Sequence, residues 1–265
     1  MREAGMNRLQ GKTALITGAS SGLGAEFARQ FAGLGCSLIL VARRMDRLLE
    51  LKTEISSHFD NSIECMAMDL AKEDASEQLY AQLEKSGVSV DVLVNNAGFG
   101  LYGNFIETPW ERIHQMLELD ILTLTQLTHL YAADMVKRKF GYILLVGSTG
   151  SFQPTPTYAA YSAAKSYVLS LGEALHYELR HTGVKCSVLC PGVTRTEFLD
   201  VAGQRPTAYQ RASMMTGEAV VRIGINALLK GRASVVPGWS NAFLAWGTRL
   251  LPRQALAAVS GRLMR

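Results

Sequence analysis

Tyr161 and Lys165 stand one helical turn apart in the run YSAAK, and Ser148 lies upstream at the end of an apolar run. This trio can move a proton to or from an alcohol or a carbonyl. Residues four apart on a helix share a face, so the Lys165 ammonium can sit beside the Tyr161 phenol. A neighbouring cation favours the phenolate and is expected to lower the phenol from its ordinary value of about 10. A phenol lowered in this way serves as a general acid or base near neutral pH. The spacing alone also arises by chance in many helices, so its meaning rests on the rest of the chain.

A second group of residues can hold a phosphate. The apolar run Thr13–Thr17 leads into Gly18-Ala19-Ser20-Ser21-Gly22-Leu23-Gly24, and a helical pattern follows from Leu23. Glycines there allow positive φ and a close backbone approach to a ligand. The helix that follows presents free N–H groups and the positive end of its dipole. A tight structural turn is the plainer alternative, but the place of this run between a first strand and a first helix favours a dinucleotide site.

The next strand ends Val41-Ala42-Arg43-Arg44, with no acid until Asp46. An acid at that point would accept from a ribose 2′-hydroxyl, whereas a guanidinium suits a 2′-phosphate. The expected cofactor is therefore NADP(H) rather than NAD(H), with Arg43 as the main contact and Arg44 as a solvated neighbour. Ser20 and Ser21 add hydroxyl donors beside the adenosine phosphate. Asp69-Leu70 and Asn95-Asn96-Ala97-Gly98 close two further strands and face the same crevice. Asp69 reads equally well as a helix cap.

The elements that must position these residues alternate along the chain. Strands are expected at 13–17, 37–42, 63–68, 90–94, 142–146, 185–189 and 233–236. Helices are expected at 23–34, 46–57, 73–85, 110–139, 158–181 and 218–230, that at 110–139 being one long helix. Short, continuously apolar strands between helices imply an α/β, doubly wound (Rossmann) sheet of about seven strands, mostly parallel, with helices on both faces. The expected organisation is a single domain over 9–240 and an amphipathic C-terminal extension over 241–265. Residues 192–216 lack periodicity, and a loop of that length inside a domain is usually functional.

Composition excludes several classes. Of 265 residues, 48% are apolar and 19% charged, ordinary proportions for a globular protein, and the net charge of +4 is spread without the basic stripe that nucleic-acid binding needs. Cys36, Cys65, Cys186 and Cys190 form no zinc pattern, so no metal is expected, and free thiols suit a reducing cytosol. The N-terminus shows no apolar leader, and no run of 18 or more apolar residues suggests a membrane span. A cytoplasmic location is expected.

Taken together the motifs resemble the short-chain dehydrogenase/reductase family over roughly residues 9 to 240. The resemblance rests on TGASSGLG at 17–24, DL at 69–70, NNAG at 95–98, Ser148, YSAAK at 161–165 and PG at 191–192, in that order. The wording around them is similar to a broad-specificity subgroup that itself resembles hydroxysteroid dehydrogenases. The resemblance implies that Tyr161 is the general acid in reduction, or the base in oxidation. Lys165 would lower its pKa and bind the nicotinamide ribose, and Ser148 would hold the substrate oxygen. Gly18, Gly22 and Gly24 would shape the phosphate turn, Asp69 and Leu70 would flank the adenine, Asn95 would support its strand end on the cofactor side, and Ala97 and Gly98 would belong to that side. Pro191, Gly192 and Thr194 would meet the nicotinamide. Dimers or tetramers built through the long helices are also implied.

One position departs from the family pattern. Where the family usually carries an Asn, this chain has Asp120. If only its backbone carbonyl serves a proton relay, the side chain is silent. If the side chain matters, its charge opposes a Tyr161 phenolate and raises that pKa. Asp120 is carried as a fourth member of the catalytic set.

Phe99, Phe152, Tyr158 and residues 192–216 are expected around the substrate, which favours an apolar carbonyl compound, and Met214-Met215 form a candidate lid edge. The stretch from Trp239 carries Arg249, Arg253, Arg262 and Arg265 among apolar residues, a pattern that suits a partner subunit or a membrane surface. The function expected is NADP(H)-dependent interconversion of a ketone or aldehyde and an alcohol. A non-catalytic NADP(H) sensor on the same fold is the rival, and double-bond reduction or epimerisation is a rival within the enzymes.

Overall fold

The computed structural model describes residues 9–205, 207, 211 and 213–263. Seven strands form one parallel sheet in the order β3-β2-β1-β4-β5-β6-β7. They are β1 (Thr13–Thr17), β2 (Ser37–Ala42), β3 (Ile63–Ala67), β4 (Val92–Asn95), β5 (Gly141–Val146), β6 (Val184–Leu189) and β7 (Ser234–Val235). The order reverses between β1 and β4, which pair through Ala14–Val92 and Ile16–Val94. This is the doubly wound arrangement expected from the sequence, and its crevice opens beyond the carboxyl ends of these strands.

The strands read as continuous apolar runs because both of their faces are covered. Ala14 and Ile16 of β1 join Phe27, Phe31, Leu48 and Leu228 in one core. Leu15 points the other way, into a second core with Leu79, Leu127 and Val168. The first layer is built by α1 (Gly22–Gly33), α2 (Met45–Ser56) and α8 (Gly217–Lys230). The second is built by α3 (Ala75–Lys85), α5 (Leu124–Arg138) and α6 (Ala159–Glu178). Phe27 and Phe31 lie one turn apart on α1, fully buried, with ring centroids 6.3 Å apart. Burying each such ring stabilises the fold by about 1.5–3 kcal/mol.

Two elements differ from the sequence expectation. The helix expected over 110–139 is interrupted: α4 (Trp110–Leu117) passes through a π-helical segment (Glu118–Thr123) before α5. The wider turn buries Asp120 completely. The helix expected from Glu73 starts at Ala75 instead, because Asp74 takes a left-handed conformation (φ 62°) ahead of it. Asp69 is therefore not a helix cap. Its carboxylate accepts from the Ala71 N–H (3.2 Å) in a local turn.

The expected loop at 192–216 contains a short helix, α7 (Phe198–Ala202), and its ends meet in a bridge between Thr194 and Met215. Much of its middle lies outside the described residues. Two helices follow the sheet, α9 (Trp239–Gly247) and α10 (Arg253–Leu263).

Candidate active site

A cleft of about 710 Å³ opens along the carboxyl ends of the strands and reaches from the glycine turn to Tyr161. At one end the chain leaves β1 through Gly18 (φ 67°) and Gly22 (φ 54°) and enters α1. A Cβ on Gly18 would stand 2.9 Å from the Ala97 Cα and from the Asn96 Nδ2. A Cβ on Gly24 would strike the Gly18 carbonyl. The Ser21 side chain does not cap α1, so the start of that helix faces the cleft with its backbone donors.

This cradle fits a dinucleotide phosphate, and Ser20, Ser21, Gly22 and Leu23 line it. Gly24 does not line the cleft. It lets α1 approach the turn.

The neighbouring strand end locks the turn in place. Thr17 Oγ1 accepts from the Asn96 N–H (3.1 Å) and the Ala97 N–H (3.0 Å). The Asn96 side chain donates to the Thr17 carbonyl at 3.0 Å. Asn95 points the other way, as adjacent strand residues do. It is buried, and its amide donates to Thr128 Oγ1 at 2.9 Å. The expectation that Asn95 belongs to the cofactor side is therefore corrected to a strut between β4 and α5. Asn96, expected with its neighbours to face the crevice, is the asparagine of this pair that lines it.

Arg43 and Arg44 both line the cleft beside Asp69 and Leu70. Arg44 is not merely a solvated neighbour. One Nη2 reaches Ser20 Oγ (3.3 Å) and Glu197 Oε2 (3.2 Å), spanning the opening between β2 and the segment before α7.

At the other end, Ser148 follows β5 and caps a short 3-10 turn (Thr149–Phe152). Its Oγ accepts from the Gly150 N–H at 3.1 Å, while Ser151 Oγ accepts from the Ser148 N–H at 3.2 Å. Ser151 also donates to the Lys165 carbonyl at 2.7 Å, which ties this turn to α6. Gly172 sets the depth of α6, since a Cβ there would collide with Val188 of β6. Ser148, Tyr161 and Lys165 all line the cleft, as do Ala97, Gly98, Pro191, Gly192 and Thr194.

Lys165 Nζ donates to the Val146 carbonyl (3.1 Å), lies 3.3 Å from Asp120 Oδ2 and stands 5.7 Å from the centre of the Tyr161 ring. Asp120 sits behind Lys165, off the cleft surface. A Cβ on Gly98 would collide with Asp120 Oδ1, so the glycine admits the acid. Burial raises the Asp120 carboxyl above its ordinary range, and Lys165 opposes that rise.

The expected lowering of Tyr161 is not found. Burial raises its phenol well above the ordinary value, Asp120 adds to the rise, and a hydrogen bond with Ser148 opposes it. The cause is geometric. Lys165 Nζ is engaged by Asp120 and the Val146 carbonyl, and the acid offsets its charge near the phenol. Nearby Tyr158 and Cys190 add no compensating cation.

Aromatic residues close the substrate end. Tyr158 and Phe198 flank Tyr161, with ring centroids at 5.8 and 5.5 Å. Tyr158 donates to Gln204 Oε1 at 2.8 Å. Phe99 lines the cleft. Phe152 instead packs on the second core, which corrects its expected place at the substrate. Phe198 lies in the segment 192–216 expected around the substrate, although the sequence did not single it out.

Comparison with known proteins agrees with this geometry. The profile of the family described as short chain dehydrogenase matches residues 12–207. An uncharacterized oxidoreductase of Myxococcus xanthus is 30% identical over 258 residues, covering 97% of this chain and 100% of its own length. A very-long-chain 3-oxoacyl-CoA reductase of Pyricularia oryzae is 31% identical over 245 residues, which is 89% of this chain and 72% of the relative. The solved structure of a short-chain dehydrogenase from Sphingobium yanoikuyae in complex with NADPH superposes with a TM-score of 0.80 at 29% identity, covering 93% of this chain and 98% of the other. With the parallel sheet, the glycine turn and the Ser-Tyr-Lys cluster on one cleft, this chain belongs to the short-chain dehydrogenase/reductase family of oxidoreductases.

Proposed function

We propose that the protein is an NADP(H)-dependent reductase of apolar ketones or aldehydes, working reversibly on the corresponding alcohols. The observation that carries this reading is the convergence of Ser148, Tyr161 and Lys165 on the cleft that also holds the glycine turn. The bound dinucleotide supplies the hydride.

The chain supplies position and the proton. Ser148 and Tyr161 both line the cleft beside one another, so both can meet a carbonyl oxygen from the same side. Tyr161 then donates its proton as negative charge grows on that oxygen. A phenol raised by burial and by Asp120 stays protonated at neutral pH, which is the state that a general acid needs. Lys165 lies close enough to stabilise the phenolate left behind, and Asp120 holds the ammonium in place.

Arg43 and Arg44 suit a 2′-phosphate, which supports NADP(H), and the solved NADPH complex of a relative supports the same choice. Phe99, Tyr158, Phe198 and Leu199 give the substrate end apolar walls. The relatives named as very-long-chain 3-oxoacyl-CoA reductases also favour an apolar carbonyl substrate.

The test is consumption of NADPH and of NADH with a panel of bulky aliphatic and aromatic ketones and aldehydes. Turnover with NADPH is expected, and Tyr161→Phe should lower kcat by a factor of about 10²–10⁴ or more while leaving NADPH binding intact. Wild-type turnover in Tyr161→Phe would refute the role of the phenol. An inactive protein that still binds NADPH would favour the sensor reading.

A further inference from the structure

The face turned outward by α9 and α10 is apolar, aromatic and cationic. Trp239, Phe243 and Trp246 are spaced at i, i+4 and i+7, so they share one side of α9. That side faces solvent: their exposures are 86, 65 and 53%, and Leu250 and Leu251 beyond them reach 68 and 50%. The opposite side of α9 is anchored by buried Asn241 and Ala245. α10 is anchored by Leu256 and by Ser260, whose Oγ donates to the Pro154 carbonyl at 2.8 Å. Its Val259 and Leu263 remain outside. Soluble surfaces scatter large apolar residues singly, whereas Trp239, Phe243 and Trp246 share one side of a helix, with the last two rings 6.3 Å apart, and such a cluster marks a contact.

Charge identifies the occupant. Residues 239–265 contain four arginines and no Asp or Glu, out of 27 basic and 23 acidic residues in the chain. The rest of the chain is therefore charge-balanced, and the whole net charge of +4 belongs to this segment. Two-fold pairing with a second copy would press this cation-only surface against itself. Arginines flanking protruding Trp, Phe and Leu instead match the boundary between anionic headgroups and acyl chains. Two of the chain's three tryptophans lie here, and tryptophan favours that boundary. No helix among the described residues is long and apolar enough to cross a membrane, so the contact lies on the surface rather than through it.

We propose that α9 and α10 seat the protein on an anionic lipid bilayer, with the mouth of the cleft at the lipid surface. The second half of this statement rests on position. Leu244 of α9 and Leu263 of α10 are exposed and also line the cleft. An apolar molecule dissolved in the bilayer thus has a route into the cleft along the same helices that touch the lipid.

Cosedimentation of the full chain with vesicles tests this without relying on turnover, so its outcome is separate from that of the proposed reaction. Phosphatidylcholine vesicles are compared with vesicles of phosphatidylcholine and phosphatidylserine, at low and at physiological salt. Binding to the anionic vesicles is expected, at least tenfold tighter than to the neutral ones and weakened by salt, with a blue shift of tryptophan emission. Trp239→Ala/Trp246→Ala should lower binding at least tenfold, and Arg249→Gln/Arg253→Gln/Arg262→Gln should remove the preference for anionic lipid. Failure of the unaltered chain to bind either vesicle would overturn the proposal. So would binding indifferent to both sets of substitutions. A dimer in solution that Trp239→Ala/Trp246→Ala dissociates would also overturn it and assign the face to a second copy of the chain.

Discussion

Lys165 Nζ lies 3.3 Å from Asp120 Oδ2, and the two side chains are 5% and 0% exposed. An ion pair this deep contributes little net stability, because both charges lose their water. Removing one partner is another matter. An ammonium left alone in that position is strained by about 3–5 kcal/mol. The pair thus couples the helix that carries Tyr161 to the π segment, and it sets the field in which the phenol titrates.

Asp120→Asn separates charge from shape. The groups around Tyr161 are Asp120 from the π segment, Ser148 after β5, Cys190 after β6, and Tyr158 and Lys165 at or on α6. Asp120 opposes the phenolate, so its neutralisation favours the phenolate and lowers the Tyr161 pKa. Alcohol oxidation, which needs the phenolate, should then reach half its maximal rate at lower pH than in the wild type. A pH–rate profile of oxidation measures this; a shift to higher pH would contradict the geometry. Asp120→Ala, which also removes the volume, should lose about 3–5 kcal/mol in urea unfolding.

Cofactor choice divides between two arginines. A guanidinium hydrogen-bonded to a phosphate contributes about 1.5–3 kcal/mol. Arg43→Ala and Arg44→Ala are each expected to raise KM for NADPH by about 10–100-fold while changing KM for NADH less than about threefold. Arg44→Ala also frees Glu197, its 3.2 Å partner across the cleft. Steady-state kinetics with both cofactors decides how the two share the role, and equal effects on NADH would remove the 2′-phosphate from the account.

Gly24→Ala tests the turn through packing rather than charge. Its Cβ would strike the Gly18 carbonyl and come within 2.7 Å of Asn96 Nδ2. The collision falls on backbone, so the turn itself must move. A stability loss of about 1–3 kcal/mol is expected, with dinucleotide affinity weakened about tenfold or more, read by unfolding and by quenching of protein fluorescence.

Asn95→Ala should separate stability from binding. It removes the donor to Thr128 Oγ1 and to the Leu124 carbonyl. About 1–3 kcal/mol of stability should be lost, while KM for NADPH stays within about twofold of the wild type. A large rise in KM with stability unchanged would return Asn95 to the cofactor side.

Much of this architecture is readable from the chain because its signals are local. Leu15 and Ile16 are both apolar since the sheet is covered on both sides, and the glycine turn declares itself by standing between a strand and a helix. Asn95 and Asn96 could have been told apart, because neighbours in a strand point to opposite faces. The π segment was hidden for a different reason. Its wider turn alters backbone hydrogen bonding without disturbing the apolar pattern across 110–139, so the sequence shows a single helix where Asp120 turns inward. The segment 192–216 was legible as a substrate wall, but the place of Phe198 beside Tyr161 was not, because it depends on where a non-periodic segment folds back. The direction of the Tyr161 shift required distances, since YSAAK alone cannot say which neighbour takes the lysine's charge.

Thr194 and Met215 are joined by backbone bonds, from the Arg195 N–H to the Met215 carbonyl (3.0 Å) and from the Met215 N–H to the Val193 carbonyl (3.2 Å). The chain therefore departs from the sheet and comes home at one spot. The two bonds close a ring, whose described part is pinned to the cleft where Phe198 packs on Tyr161 and Gln204 accepts from Tyr158. Lengthening such a ring adds little closure entropy, since doubling it costs about 0.6 kcal/mol. Exchange of Leu199 or Val201, which line the cleft inside this ring, is thus a way to reshape that end of the cleft while the strands hold the glycine turn in place.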